Sequence, residues 1–261
     1  MLGAILGDIV GSPFEHASHK STDFPFLSSW SRFTDDSVLT VATAHAILTD
    51  GDFAAAYRAF GRRHPHAGYG SAFRRWLHTD GAGPYQSFGN GSAMRVSPVG
   101  WAATTESECL DLARRSAVVT HDHPHGVAGA QAVALGLFLL RHGADKATLR
   151  AELSQRFAYD LATTVNDIRP TYRFDVTCQG SVPLGLVAFL DSDSVESAIR
   201  LAVSLGGDAD TQAAIAGALA EAAYGGVPAP LWADAVTRLP DDLRAPTEAF
   251  VARYGVPIAA G

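Results

Sequence analysis

The longest apolar stretch of the chain, residues 127–140, sets the strongest limit on how the chain can fold. It is shorter than the roughly 20 residues that a helix needs to cross a bilayer. Drawn as a helix, residues 126–141 are apolar on nearly all sides, as expected for a helix that other helices surround. The stretch therefore predicts a buried core helix in a domain rich in helices.

Helical patterns recur along the rest of the chain, whereas β-branched residues nowhere alternate with polar ones over a convincing length. Further helices are predicted over residues 35–49, 52–63 (after a turn at Asp50 and Gly51), 106–119, 146–156, 183–190, 194–205 and 208–224, with two more between residues 230 and 254. The fold class predicted is all-α: a single compact domain of many short helices over residues 1–261.

The composition of the chain disfavours several classes of function. The chain has 261 residues, 47% of them hydrophobic, and its net charge of −7 disfavours sequence-independent binding to a nucleic-acid backbone. Its two cysteines, Cys109 and Cys178, form no CxxC pair, which fits a reducing cytoplasm. The N-terminal segment lacks basic residues and carries Asp8 within its apolar run, so it is a poor signal peptide. We expect a cytoplasmic, monomeric protein without a membrane segment.

Three long loops are predicted over residues 12–34, 80–92 and 161–182, and long loops within a compact domain often carry function. Two short acidic segments stand out beside them, because each combines two acids with a hydroxyl at the start of a predicted helix. They are Thr34-Asp35-Asp36 and Asp208-Ala209-Asp210-Thr211.

The acidic segments have two interpretations. Asp, Ser and Thr are ordinary residues at a helix start, where they cap the first N–H groups. However, two carboxylates within three residues repel each other, and a helix start needs a single cap. Asp208 and Asp210 converge only if Asp208 lies in a turn formed by Gly206 and Gly207, so that Asp210 opens the helix. Together the two segments then favour a site for two hard cations such as Mg²⁺, Mn²⁺ or Ca²⁺.

Two further loops have a polar character. Residues 84–95 (PYQSFGNGSAMR) contain glycines that let backbone N–H groups approach an anion, and Ser92 is placed to begin a helix. A plain turn is the alternative for this loop. Residues 120–125 (THDHPH) hold three histidines, but no paired cysteine or Glu-x-x-His accompanies them, so zinc is disfavoured. A helix start at Pro124 with His121 contacting a substrate is the other interpretation.

These segments together resemble the ADP-ribosylglycohydrolases, the family that includes the hydrolase reactivating dinitrogenase reductase. The similarity runs nearly end to end and in the family's order. It is carried by GAILGDIVGSPFE at residues 3–15, RFTDDS at 32–37, FGNGSAMR at 88–95, THDHPHG at 120–126 and LGGDADTQAAIAGALAEAAYG at 205–225.

The resemblance implies an all-α fold with two Mg²⁺ ions (or Mn²⁺) in a cleft. The implied metal ligands are Thr34, Asp35, Asp36, Asp208, Asp210 and Thr211. The implied substrate contacts are Gly70, Ser87, Phe88, Gly89, Asn90, Gly91, Ser92 and His121. Glu15 corresponds to a glutamate near the metals, and Glu15 and Asp36 are the candidates for acid–base catalysis. One departure is the absence of a tyrosine from residues 179–183, where many relatives carry Gly-Tyr-Val.

The implied reaction is hydrolysis of the glycosidic bond between ADP-ribose and a modified target. Arginine is the default target, while serine, O-acetyl-ADP-ribose and a nucleic-acid base stay open. Two alternatives from other classes are a non-catalytic ADP-ribose-binding or structural protein and a metal-dependent phosphohydrolase.

Overall fold

In the computed structural model, which describes residues 1–49 and 51–260, helices account for most of the chain. The helices are α1 (Leu2–Gly11), α2 (Asp35–Leu48), α3 (Phe53–Arg63), α4 (Ser71–His78), α5 (Gly91–Met94), α6 (Ser97–Ala102), α7 (Glu106–Val118), α8 (Pro124–Arg141), α9 (Lys146–Phe157), α10 (Val165–Ile168), α11 (Cys178–Leu190), α12 (Val195–Val203), α13 (Ala209–Ala223), α14 (Ala229–Val236) and α15 (Asp241–Tyr254). A short 3₁₀ helix, Ser12–Phe14, follows α1. The predicted all-α fold is confirmed.

Strand structure in the described residues is limited to two short segments. The strands β1 (Val227–Pro228) and β2 (Ile258–Ala259) pair in parallel and join the end of the chain to the segment before α14. None of the described helices is both long and apolar enough to cross a membrane.

Most predicted helices lie within one to three residues of the observed ones, and their caps explain the agreement. Thr105 accepts a hydrogen bond from the Glu108 N–H at the start of α7, and Asp145 does the same for Thr148 at the start of α9. The long helix α8 begins at Pro124, as one interpretation of residues 120–125 (the histidine loop) predicts. It packs against α5, α6, α7, α9, α11 and α13. Asp50, half of the predicted turn before α3, lies outside the described residues.

The predicted start of α11 was wrong. The helix begins at Cys178, not at residue 183, so the predicted loop 161–182 ends earlier and also contains α10. Thr177 caps the new start by accepting from the Gly180 N–H, and the Cys178 N–H donates to the Phe88 carbonyl at 2.9 Å. These bonds extend the helix before Pro183, a residue more often found in the first turn of a helix.

Two central helices, α1 and α13, pack closely enough for their backbones to touch. Gly3, Gly7 and Gly11 are spaced four apart and therefore share one face of α1. A Cβ atom added to Gly7 would lie 2.1 Å from the Ala213 carbonyl oxygen, and one added to Gly11 would lie 2.5 Å from the Asp210 Cα. Gly217 of α13 faces Gly3 in the same way. The glycines thus bring the backbone of α1 against the start of α13.

We predict that Gly7→Ala destabilises the protein, because the added methyl group meets backbone atoms that cannot move aside. The expected loss in the free energy of unfolding is about 1–3 kcal/mol or more, measured by urea denaturation. Gly83→Ala is the matched control, since a Cβ there has nothing within 4 Å. Equal stability of the two variants would contradict this role for Gly7.

Candidate active site

Asp8 is a fully buried acid on α1, and the motifs of the sequence do not single it out. Its carboxylate accepts hydrogen bonds from the N–H groups of Thr34 at 2.9 Å and Ser37 at 3.0 Å. It also accepts from the Thr34 hydroxyl at 2.6 Å and from the Ser37 hydroxyl. Asp8 therefore fastens α1 to the start of α2, where the first N–H groups have no acceptor within the helix. The signal in the sequence was a lone acid in an apolar segment, since a buried charge needs partners.

The first acidic segment lies at the start of α2. Thr34 is the N-cap of the helix, and its hydroxyl lies 3.4 Å from both the Asp36 backbone nitrogen and the Asp210 Oδ2. Asp36 is buried, whereas Asp35 is half-buried and faces the cleft described below. Because Thr34 serves as the cap, neither acid is needed for capping.

The second acidic segment has the turn that its glycines predict. Gly206 and Gly207 have φ values of +71° and +80°, and Asp208 is the N-cap position of α13, so Asp210 lies in the first turn. The Thr211 hydroxyl lies within hydrogen-bonding distance of both carboxylate oxygens of Asp36, at 3.1 and 3.2 Å. The side-chain amide of Asn90 donates to Asp208 at 2.6 Å. The two acidic segments therefore meet at one place.

The carboxylates there form two groups that share one member. Asp8, Asp36 and Asp210 offer oxygens within 4.8 Å of one another, and so do Glu15, Asp208 and Asp210. All are buried except Glu15, which is partly exposed. Each of these two oxygen-rich groups could hold a metal ion, and carboxylate oxygens are ligands that hard divalent cations prefer.

The electrostatics of these groups favour cation binding. Burial raises the pKa of Asp8, Asp35, Asp36, Asp208 and Asp210, and the neighbouring carboxylates raise that of Asp35, Asp36 and Asp210 further. Within the described part of the chain, none of these aspartates forms an ion pair with a lysine or arginine. Uncompensated buried carboxylates are costly, and a bound cation offsets that cost.

A cleft of about 380 Å³ opens beside the carboxylates, within the usual range of small-molecule sites. Most of the predicted site residues line it. They are Glu15, Asp35, Asp36, Gly70, Ser87, Gly89, Asn90, Gly91, His121, Asp208, Asp210 and Thr211. The cleft thus brings together the two acidic segments, residues 84–95 (the glycine-rich loop) and His121, which are far apart in the sequence.

Three predicted site residues lie outside this lining. Thr34 is buried behind the carboxylates, and the Ser92 hydroxyl donates to the Gly126 carbonyl at 2.7 Å. Phe88 is 46% exposed, with its ring 5.2 Å from that of His123. Phe88 therefore extends the surface outside the cleft, while Ser92 supports its wall.

The glycine-rich loop is held by bonds that its sequence alone could not reveal. The Asn90 N–H donates to the Val176 carbonyl at 2.8 Å, and the Gly89 N–H donates to the Ser87 hydroxyl at 3.2 Å. The Asn90 side chain also donates to Ser181, in the segment that lacks the tyrosine of relatives. Asn90 therefore joins the loop to α11 as well as to the acidic groups.

The histidine loop contributes one side chain to the cleft. His121 is buried, and its Nε2 would lie 3.2 Å from a Cβ added to Gly91. His123 and His125 stack on each other at 5.1 Å, and His123 caps the start of α8. Among the described residues, the groups able to hold a metal contain no histidine.

Comparisons with known proteins agree with this geometry. The family model described as ADP-ribosylglycohydrolase matches residues 1–257. The chain is 25% identical to ADP-ribosylhydrolase ARH3 of Xenopus tropicalis, covering 88% of this chain and 87% of that protein. It is 28% identical to ADP-ribosylarginine hydrolase Tri1 of Pseudomonas putida, covering 90% and 72%. A solved structure titled ADP-ribosylglycohydrolase-related protein complex superposes with a TM-score of 0.71 at 27% identity, covering 96% of each chain.

The fold and site are those of a helical protein with a cleft beside acidic groups that could hold metal ions. The chain belongs to the ADP-ribosylglycohydrolase family of enzymes.

We predict that Asp8→Asn weakens divalent-cation binding although Asp8 lies behind the cleft. An amide offers one acceptor oxygen in place of two, so the start of α2 loses part of its anchor. Residues that orient metal ligands typically contribute about 10- to 100-fold to affinity, and a rise of that size is expected in the Kd for Mn²⁺ measured by calorimetry. Asp23→Asn, at an exposed position, is the control. An unchanged Mn²⁺ affinity in the Asp8 variant would show that the hydrogen bonds between Asp8 and the start of α2 do not affect cation binding.

We also predict how stability depends on pH and Mg²⁺. Because the folded-state pKa values of these aspartates are raised, the metal-free folded protein binds more protons than the unfolded chain at pH values above about 4. This contribution therefore lowers the free energy of unfolding as pH rises toward neutrality. Mg²⁺ replaces those protons, so the increase in Tm that it causes should be larger at about pH 7.5 than at about pH 5. An equal increase at both pH values would contradict the carboxylates as the binding site.

Proposed function

We propose that the protein hydrolyses the glycosidic bond between ADP-ribose and a modified target, with ADP-ribosyl-arginine as the default substrate. The observation that carries the proposal is the pair of carboxylate groups sharing Asp210 beside a cleft lined by the glycine-rich loop. The names of the relatives support the substrate class, since ARH3 is called an ADP-ribosylhydrolase and Tri1 an ADP-ribosylarginine hydrolase.

We propose two Mg²⁺ ions, with Mn²⁺ as the alternative, as the cofactor. The residues fit such ions, because several buried carboxylates converge and the aspartates among them have no lysine or arginine ion-pair partner in the described part of the chain. The proposed ligands are Thr34, Asp35, Asp36, Asp208, Asp210 and Thr211, with Asp8 anchoring Thr34 from behind. Divalent ions bound there would orient the ribose hydroxyls and lower the pKa of a water molecule.

Glu15 is better placed than Asp36 to move a proton at the scissile bond. It lines the cleft and also a neighbouring depression whose wall includes His16, Arg173 and Phe174. We assign the ADP-ribose to the cleft and the target to that depression, so Glu15 lies where the bond between them would pass. Burial raises the pKa of Glu15, which keeps a larger fraction of it protonated and suits it to donate a proton to the leaving group.

Asp36 has a different environment. It is buried, it accepts from the Thr211 hydroxyl, and it belongs to the inner carboxylate group with Asp8 and Asp210. These contacts suit a metal ligand more than a proton donor. The carboxylates around the anomeric carbon would also stabilise positive charge that develops there in an oxocarbenium-like transition state.

The test is release of ADP-ribose by wild-type protein and by the variants Asp35→Asn and Asp210→Asn. The substrates are a panel of ADP-ribosylated arginine peptide, serine peptide, acetyl ester and DNA base, each with Mg²⁺ or with EDTA. We expect release from at least one substrate, loss of that release with EDTA, and a fall in kcat of about 100-fold or more in both variants, since each removes a charged ligand. Asp23→Asn is the control and should match the wild type.

Each other outcome decides against part of the proposal. Near wild-type rates in both variants would contradict the two-metal assignment. Release of inorganic phosphate or AMP in place of ADP-ribose would identify a phosphohydrolase. ADP-ribose binding without turnover on any substrate would identify a binding protein.

A further inference from the structure

Behind His121 lies a chain of polar contacts that begins at a buried arginine. Arg95 is fully buried, with its guanidinium 4.1 Å from the centre of the Tyr57 ring. Its Nη2 donates to the Ser116 carbonyl at 3.0 Å and to the Thr120 Oγ1 at 2.9 Å. The Thr120 Oγ1 lies in turn 2.8 Å from the Nδ1 of His121. The three side chains thus form a continuous chain of contacts in the wall of the cleft, which both Arg95 and His121 line.

The direction of each hydrogen bond follows from which groups can donate. A guanidinium only donates, so the Thr120 oxygen accepts from Arg95. If His121 also donated from Nδ1, the buried Thr120 hydroxyl would have its proton left without an acceptor among these contacts. The arrangement that gives both the Thr120 hydroxyl proton and the Nδ1 of His121 a partner has Thr120 donating to that nitrogen. A neutral imidazole that accepts at Nδ1 carries its proton on Nε2.

The Nε2 of His121 faces the glycine-rich loop. Cβ atoms added to Gly91 and Gly89 would lie 3.2 and 3.6 Å from it, so glycine at these positions leaves room beside the nitrogen. Because His121 lines the cleft, its Nε2 proton is placed where a ligand would lie.

We propose that Arg95 and Thr120 are positioning residues that fix the proton of His121 on Nε2, where it donates a hydrogen bond to an oxygen atom of bound ADP-ribose. The identity of the ligand rests on the proposed function, whereas the position of the proton rests on the contacts alone. Burial and the neighbouring Arg95 also lower the pKa of His121 well below its usual value, so the ring stays neutral at physiological pH.

The position of the proton is measured by NMR of the imidazole nitrogens in ¹⁵N-histidine-labelled full-length protein, with His121→Gln identifying the His121 resonances. We expect His121 to show a protonated Nε2 and an unprotonated, hydrogen-bonded Nδ1. His142 provides an internal reference for the opposite form, because its Nδ1 lies 2.7 Å from the Phe138 carbonyl, which only accepts.

Thr120→Val and Thr120→Ser then test the role of the hydroxyl. Valine keeps the shape of threonine but removes its hydroxyl, so the Nδ1 resonance should move toward that of an unbonded nitrogen. The Kd for ADP-ribose, measured with Mg²⁺ by calorimetry, should rise about two- to tenfold, the effect of one hydrogen bond. Serine keeps the hydroxyl and should restore both the resonance and the affinity. A merely structural role for Thr120 would lower Tm without moving the Nδ1 resonance.

Two results would overturn the proposal: a proton on Nδ1 of His121 in the wild type, or an Nδ1 resonance and a Kd that Thr120→Val leaves unchanged. Failure of wild-type protein to bind ADP-ribose at all would count against the proposed function and the assigned ligand. The NMR result would still decide the proton position in that case, so the two failures are distinguishable.

Discussion

The contact between the backbones of α1 and α13 is the constraint on which the acidic site depends. Gly3, Gly7 and Gly11 let α1 lie against α13 without intervening side chains, and Asp8 follows Gly7 directly. Because the helices touch, the Asp8 carboxylate reaches the start of α2 while remaining within 4.8 Å of an oxygen of Asp210. Side chains on this face would separate the helices and pull apart the carboxylate groups. The glycines, which lower intrinsic helix stability, are therefore better explained by the site than by the helix.

The close approach creates an electrostatic cost that no lysine or arginine of the described chain offsets by an ion pair with these aspartates. Asp8 receives its hydrogen bonds from neutral groups, and the aspartates beside it have raised pKa values. The metal-free protein is therefore less stable than one without these carboxylates, and a cation bound at the proposed site would restore stability. The same feature explains why both acidic segments stand at helix starts, since hydroxyl and N–H donors there partly stabilise the carboxylates.

Sequence patterns predicted the fold class and most helices because amphipathic periods and caps are local properties. They did not assign α1, since this helix is buried on all sides and rich in glycine, and its stability comes from packing against α13. They placed α11 too late, because Pro183 resembles a first-turn proline and the capping by Thr177 is completed through contacts with the Phe88 segment. The pairing of Asp35 and Asp36 with Asp208 and Asp210 was predictable from their shared composition. The anchoring role of Asp8 required knowledge of which helices touch.

The two sides of the cleft carry side chains of opposite charge. On one side, carboxylates lacking arginine or lysine partners in the described chain favour cations. On the other, Arg95 is a buried positive charge that lines the cleft and also donates to Thr120, whose hydroxyl contacts His121. Together with the Nε2 proton proposed for His121, Arg95 makes this side of the cleft favour acceptor oxygens of a ligand. Asn90 spans the two sides, because its side chain donates to Asp208 while the glycines on either side of it face His121. A ligand with hydroxyl groups at one end and acceptor oxygens farther along, as in ADP-ribose, matches both sides at once.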